Sequence, residues 1–144
     1  WYSTVDDLGR VRLHPVNAPP TIVHTQTGIT EGSFSFDQNM RPVVAMVVNG
    51  LVRLRWYDTI AAGYVITDFP GTRSPKVALD DKRQATVSVL SDVIFAYIKS
   101  GDLCYRQQRD RYSIEYTLRG GIRSAQRLVN IGMNESLRMQ FEVQ

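Results

Sequence analysis

Val43-Val44-Ala45-Met46-Val47-Val48-Asn49-Gly50-Leu51-Val52-Arg53-Leu54-Arg55-Trp56-Tyr57 reads as one β-hairpin. Residues 43–48 are apolar at every position, as expected of a strand covered on both faces. Beyond Asn49-Gly50 the pattern changes. Val52, Leu54 and Trp56 alternate with Arg53, Arg55 and Tyr57, so the first set points inward and the second outward. Asn and Gly both tolerate positive φ, which makes Asn49-Gly50 the central pair of a type I′ turn.

The same grammar recurs along the chain. Tyr112, Ile114, Tyr116 and Leu118 alternate with Ser113, Glu115 and Thr117. Leu137, Met139, Phe141 and Val143 alternate with Arg138, Gln140, Glu142 and Gln144. Residues 93–98 form a second run apolar on both faces. Ser91-Asp92 and Ser100-Gly101-Asp102 are expected turns, and residues 132–135 are expected to join the last two strands. Residues 120–127 are expected to make one short helical turn. The chain is therefore expected to be all-β, built from antiparallel hairpins. Residues 14–30 carry Pro15, Pro19 and Pro20 with few large apolar side chains. Proline removes an amide donor and fixes φ, so residues 1–30 are expected to be an extended arm or linker ahead of a β-repeat domain at 31–144.

A repeat of about 43 residues is suggested by Phe36-Asp37 and Leu79-Asp80. At that offset Val44 falls on Val87, Met46 on Val89, Val47 on Leu90 and Asn49 on Asp92. One residue less brings Leu54 onto Ala96 and Trp56 onto Ile98. A period of this length with four short strands is the mark of a β-propeller blade. A sandwich or meander of hairpins gives similar self-similarity, and both readings stay open. Either leaves unpaired strand edges, so assembly with further polypeptide is expected.

The 144 residues are 43% hydrophobic and 22% charged, with a net charge of +3. That is an ordinary globular balance, and its arginines are scattered rather than clustered, unlike a nucleic-acid surface. No apolar run approaches the roughly 18 residues of a membrane helix, so no membrane insertion is expected. One cysteine, Cys104, cannot form an internal disulfide and fits folding in a reducing cytoplasm.

No stretch carries catalytic or cofactor chemistry. Asp37 and Asn39 are spaced to close a turn on backbone amides, with Arg41 positioned to pair with Asp37. This loosely resembles the structural Asp-box turns of sialidase-type propellers. A calcium loop would need further acidic ligands that are missing here. His14 and His24 have no ligand partners at metal spacing. Neighbours in a strand point to opposite faces, so Asp6-Asp7 and Asp80-Asp81 do not make a two-carboxylate site. No catalytic residue, metal or cofactor is assigned. Arg106, Arg109 and Arg111, flanked by Tyr105 and Tyr112, have the composition of a protein-docking hairpin, although a solvated loop would look the same.

Residues 32–45 (GSFSFDQNMRPVVA), 53–58 (RLRWYD), 105–112 (YRQQRDRY), 131–134 (IGMN) and 138–142 (RMQFE) together resemble virion structural proteins of tailed bacteriophages. Those proteins are propeller-like components of the tail or tail tip. The resemblance covers most of the chain from about residue 30 onward. It implies a structural role in a tail, tail-tip or tail-fibre assembly made in the bacterial cytoplasm, with copies of itself and other virion proteins as partners. Contact with a host-surface receptor is a further possibility of that setting. The expected interface comprises Pro15, Pro19, Pro20 and His24 of the arm with Arg106, Arg109 and Arg111. The alternative is a carbohydrate-binding module for a bacterial surface glycan, with sugar rings stacked on Tyr57 or Tyr64.

Overall fold

The computed structural model describes residues 2–24, 26–81 and 92–144. Its strands are β1 (Tyr2–Val5), β2 (Val11–His14), β3 (Thr21–His24), β4 (Ile29–Phe36), β5 (Pro42–Val48), β6 (Leu51–Asp58), β7 (Gly63–Phe69), β8 (Thr72–Asp80), β9 (Asp92–Lys99), β10 (Asp102–Gln107), β11 (Tyr116–Arg119), β12 (Leu128–Met133) and β13 (Met139–Val143). They make four antiparallel up-and-down sheets: β1–β3 (sheet I), β4–β7 (II), β8–β11 (III) and β12–β13 (IV). None closes into a barrel.

The sheets stack in chain order, and the apolar pattern explains why. In β5, Val44 and Met46 face sheet I and pack with its Val5 and Val11, together with Ile29 of β4. Val43 and Ala45 face the other way and join Trp56, Phe95 and Tyr97 between sheets II and III. In β9, Phe95 and Tyr97 turn toward sheet II, whereas Ala96 and Ile98 meet Leu128 and Ile131 of sheet IV. Both strands are therefore apolar on two faces because each lies inside a sheet with neighbours on both sides. Gly32 permits the approach of sheets I and II, because a Cβ there would lie 3.3 Å from the side chains of Val5 and Val11.

The first strands of successive sheets lie next to one another. β1 packs beside β4, β4 beside β8, and β8 beside β12, with no comparable contact between β12 and β1. Between them lies a cavity of about 510 Å3, lined by Ser3 of β1, Ser33 and Ser35 of β4, Lys76 of β8 and Asn130 of β12. Val77 N–H donates to Ser33 Oγ across this gap at 3.0 Å. β8 is an edge strand here and tolerates Pro75 beside a bulge between Arg73 and Lys76, where no ladder donor is needed.

One five-residue turn is used three times, at residues 6–10, 37–41 and 134–138. In each, the first side chain accepts from the backbone N–H groups of the third and fifth residues: Asp6 from Leu8 and Arg10, Asp37 from Asn39 and Arg41, Asn134 from Ser136 and Arg138. The fourth residue is left-handed (Gly9 φ 67°, Met40 φ 59°, Leu137 φ 57°), the geometry of a type I turn closed by an αL residue. Only the Asp37 turn stood out in the sequence, because the three copies share little beyond their first and last residues. The tight I′ turns are as expected, with positive φ at Asn49, Gly50, Ser100 and Gly101.

Several expectations are corrected. Residues 2–24 are not an extended arm: they form sheet I, which covers Val44 and Met46. The prolines are confined to the β2–β3 connection, where Pro19 and Pro20 are exposed and no ladder donor is lost. Asp37 and Asp80 do share a place at the end of a first strand, but the next strands differ in spacing. β5 with Asn49-Gly50 corresponds to β9 with Ser100-Gly101, so Ala96 and Ile98 match the second strand of sheet II rather than Leu54 and Trp56 of the third. Asp92 opens β9 instead of ending a strand. The larger number of residues between β8 and β9 breaks the simple 43-residue period. Val87, Val89, Leu90 and Ser91 lie outside the described residues. Tyr112 and Ile114 precede β11, which starts only at Tyr116, and residues 120–127 contain no helix.

Gly9 differs from the other turn glycines in what surrounds it. A Cβ there would lie 2.7 Å from the backbone nitrogens of Gly28 and Ile29, whereas at Gly50 nothing lies within 4 Å. Gly50→Ala should therefore cost about 1 kcal/mol, the price of positive φ alone. Gly9→Ala should cost clearly more, because backbone must move. Urea denaturation of the two variants checks the order.

Candidate functional site

The turns of sheets II and III meet at one end of the molecule, and buried carboxylates gather there, among them Asp37, Asp58 and Asp92. Asp37, Asp58 and Asp92 are each about 3% exposed. A buried charge is tolerated only when paired and hydrogen-bonded, and each has such partners. Asp37 accepts from its own turn amides, from Arg41 Nε at 3.0 Å and from Gln108 Nε2 at 3.3 Å. Asp92 accepts from the backbone N–H and Nε of Arg109 at 2.9 and 2.7 Å. Asp58 accepts from Ile60 N–H at 3.0 Å and is ion-paired with Arg111. The Arg111 hydrogen bond and the turn amides hold the Asp58 carboxyl below the usual carboxylate range, against the opposing effect of desolvation.

The Gln108–Asp37 and Arg111–Asp58 contacts dock residues 107–112 of sheet III onto sheet II, and the Arg109–Asp92 contact ties the segment to β9 of its own sheet. The segment contains a 3-10 turn, Gln108–Asp110, followed by two consecutive left-handed residues, Arg111 (φ 52°) and Tyr112 (φ 56°). Such conformations cost roughly 1–2 kcal/mol each, and the surrounding bonds maintain them. The Tyr112 ring is buried edge-on against Trp56, with centroids 5.1 Å apart. Its hydroxyl has no hydrogen-bond partner among the described residues. Burial, reinforced by the charges of Asp92 and Asp37, pushes its pKa far up and keeps the phenol neutral. Over this floor lies a cleft of about 300 Å3, bordered by Asn39, Tyr57, Ile60, Arg109 and Arg111.

Arg106 is committed inside the protein rather than to an external surface. Its Nε donates to Tyr97 Oη at 2.7 Å, its Nη1 to the carbonyls of Tyr112 and Ser113 at 2.8 and 3.0 Å, and its Nη2 to Glu115 at 3.3 Å. Tyr97 Oη in turn donates to Glu115 at 2.6 Å, and Lys99 Nζ reaches the same carboxylate at 2.9 Å. Glu115 is held below its usual pKa, first by the Tyr97 hydrogen bond and then by Lys99, with desolvation opposing. Arg109 and Arg111 are about half exposed (51% and 52%), yet each also holds a buried aspartate. The arginine-rich segment is thus first an internal latch. Its partners Asp92, Asp58 and Asp37 lie 17, 53 and 71 residues from Arg109, Arg111 and Gln108, and no local spacing in the sequence reveals them.

The remaining expected site residues are dispersed. Trp56 points inward, as expected, at 4% exposure. Arg41 lies over the Tyr57 ring at 4.2 Å and Arg55 over Tyr64 at 3.8 Å, and the two tyrosines meet edge to face at 5.4 Å. One face of each ring expected to receive a sugar is therefore occupied by a guanidinium. Pro15, Pro19 and Pro20 sit far along the chain from this end, in the β2–β3 connection, and the His24 side chain lies outside the described residues. Cys104 is buried, and desolvation raises its thiol pKa, which suits packing rather than nucleophilic chemistry. Among the described residues no three His, Cys, Asp or Glu side chains group as metal ligands, and no helix is long and apolar enough to cross a membrane. Comparison with known protein families, curated proteins and solved structures finds no match to this chain.

Two outcomes test the latch. Asp37→Ala strands two turn amides, Arg41 and Gln108, and should cost about 2–4 kcal/mol. Asp37→Asn should cost less, since Asn134 performs the amide-accepting role in the third turn; chemical denaturation separates them. Asp58, with its lowered folded pKa, contributes stability that is present above its unfolded pKa and lost as pH falls through the folded value. Arg111→Gln should therefore lower stability at neutral pH and flatten the acid limb, read from urea midpoints across acidic pH.

Proposed function

We propose that this chain is a structural component of a tailed-bacteriophage virion, in the tail, tail-tip or tail-fibre region, and that it acts through protein–protein contacts. In this reading the four sheets are successive blades of a propeller-like array. The observation that carries it is the packing of first strands. β1, β4, β8 and β12 line one cavity in sequence order, yet β12 and β1 make no contact comparable to that between the other neighbours. An arc of this kind has sheet faces and edges at its ends that further sheets would cover. The middle sheets show what that coverage achieves, since Val43, Val44, Ala45 and Met46 are fully buried on both faces of β5. The resemblance of residues 32–45, 53–58 and 105–112 to tail proteins supplies the particle context.

The internal commitment of Arg106, Arg109 and Arg111 moves the expected contacts away from that hairpin and onto the end sheets and outer strands. Removing residues 1–30 would uncover Val44 and Met46 and damage the fold itself, so such a deletion does not test assembly. Immunogold labelling of intact phage particles with antibody against this chain does. Labelling confined to the tail or its tip is expected. Chain found only in the soluble lysate, with unlabelled particles, would overturn the assignment.

A further inference from the structure

We propose that β7 is the edge at which two copies of this chain join, as an antiparallel, two-fold symmetric continuation of sheet II. The inference deepens the reading of an assembling subunit by naming the contact between copies.

The four sheets end outward in β3, β7, β11 and β13. A strand edge presents unpaired N–H and C=O groups, and proteins blunt such edges with short strands, bulges, prolines or charge. Three of the four are blunted. β3 and β11 have 4 residues each and pair through ladders broken by a register shift. β13 has 5, faces another register shift in β12, and exposes Gln140 and Glu142. β7 differs in length and regularity, and its one charged residue, Asp68, is paired with Arg53 of β6. It has 7 residues, GYVITDF, without proline or lysine, and its register with β6 is unbroken from Val52↔Phe69 to Asp58↔Gly63.

One face of β7 also exposes apolar surface. Tyr64 is 42% exposed and Ile66 50%. They share that face with Asp68, which pairs with Arg53 at 3.0 Å. The opposite face, Val65, Thr67 and Phe69, packs toward sheet III. The sequence of the exposed face is self-complementary. Ile66 is the middle residue of the strand, so antiparallel pairing of two copies about Ile66 overlaps all seven positions. Ile66 then lies beside Ile66 of the second copy, flanked on each side by Tyr64 beside Asp68. The phenol of Tyr64 is a donor and the Asp68 carboxylate an acceptor. Sliding the register by two residues in one direction sets Ile66 against Asp68, and in the other leaves Asp68 beyond the end of the partner strand. A second copy therefore matches this edge in composition, length and register.

Seven paired residues make a small interface, so the dimer should be concentration-dependent. Light scattering of the full chain across its soluble concentration range is expected to show the mass rising from one copy to two. Ile66→Lys, at an exposed position, should weaken dimerisation by about tenfold or more while leaving the circular dichroism unchanged, as well as the melting curve at dilutions where the wild type is a single copy. Ile66→Cys should yield a covalent dimer on mild oxidation, because paired Cα atoms in an antiparallel ladder lie within disulfide reach. Wild-type protein is the blank for buried Cys104. A mass that stays at one copy together with no covalent Ile66→Cys dimer would overturn the proposal. So would a dimer that survives Ile66→Lys, since its interface lies elsewhere. Either result is separate from particle labelling, which can succeed while β7 pairing fails.

Discussion

Burial of a carboxylate beside a strand end is the constraint on which the polar end of this molecule rests. Asp37, Asp58 and Asp92 each lose nearly all contact with water, and each is compensated by turn amides or an arginine. The compensation has structural consequences. Asp37 fixes the β4–β5 hairpin, and through Gln108 it also fixes sheet III against sheet II. Asp58 does the same through Arg111. Removing any of these carboxylates would strand several donors at once, whereas an arginine at an exposed end loses only one partner. The left-handed pair Arg111-Tyr112 belongs to the same arrangement. Its backbone cost is offset by the salt bridge on one residue and by the packing of the other against Trp56.

Sheet stacking is the second determinant, and it is apolar. Each inter-sheet layer has its own cluster, with Val11 and Met46 in the first, Trp56 and Phe95 in the second, Ile98 and Leu128 in the third. A two-stranded sheet such as β12–β13 is marginal alone, and here it is held by Ile98, Leu103 and Tyr105 of sheet III. Arg73 adds a polar tie, donating to the carbonyl of Arg123 at 3.0 Å in the segment that leads into sheet IV. The layers are therefore interdependent, and stability is expected to pass along the stack through its middle sheets.

Much of the strand content was legible because it is local. Val52, Leu54 and Trp56 point inward as their alternation requires, and residues 43–48 are covered on both faces as their unbroken apolar run requires. Tyr112 and Ile114 show where the pattern misleads. They continue the alternation of Tyr116 and Leu118, but Tyr112 turns into the core on a left-handed backbone and Ile114 stays exposed. Prolines misled in the opposite sense. Pro15, Pro19 and Pro20 suggested an arm, yet proline excludes a strand only where it stands, and β2 and β3 form on either side of the connection that holds all three.

The sequence by itself determined the strands around residues 43–48, 52–57 and 93–98, the I′ turns at Asn49-Gly50 and Ser100-Gly101, and the Asp37 turn, since each depends on side-chain period or on φ preferences within a few residues. Only the tertiary structure decided that Arg106 serves Tyr97 and Glu115, that Arg111 reaches Asp58, and that the four first strands share a cavity. Those outcomes bring together groups tens of residues apart, and their selection depends on desolvation and packing that exist only once the sheets have stacked.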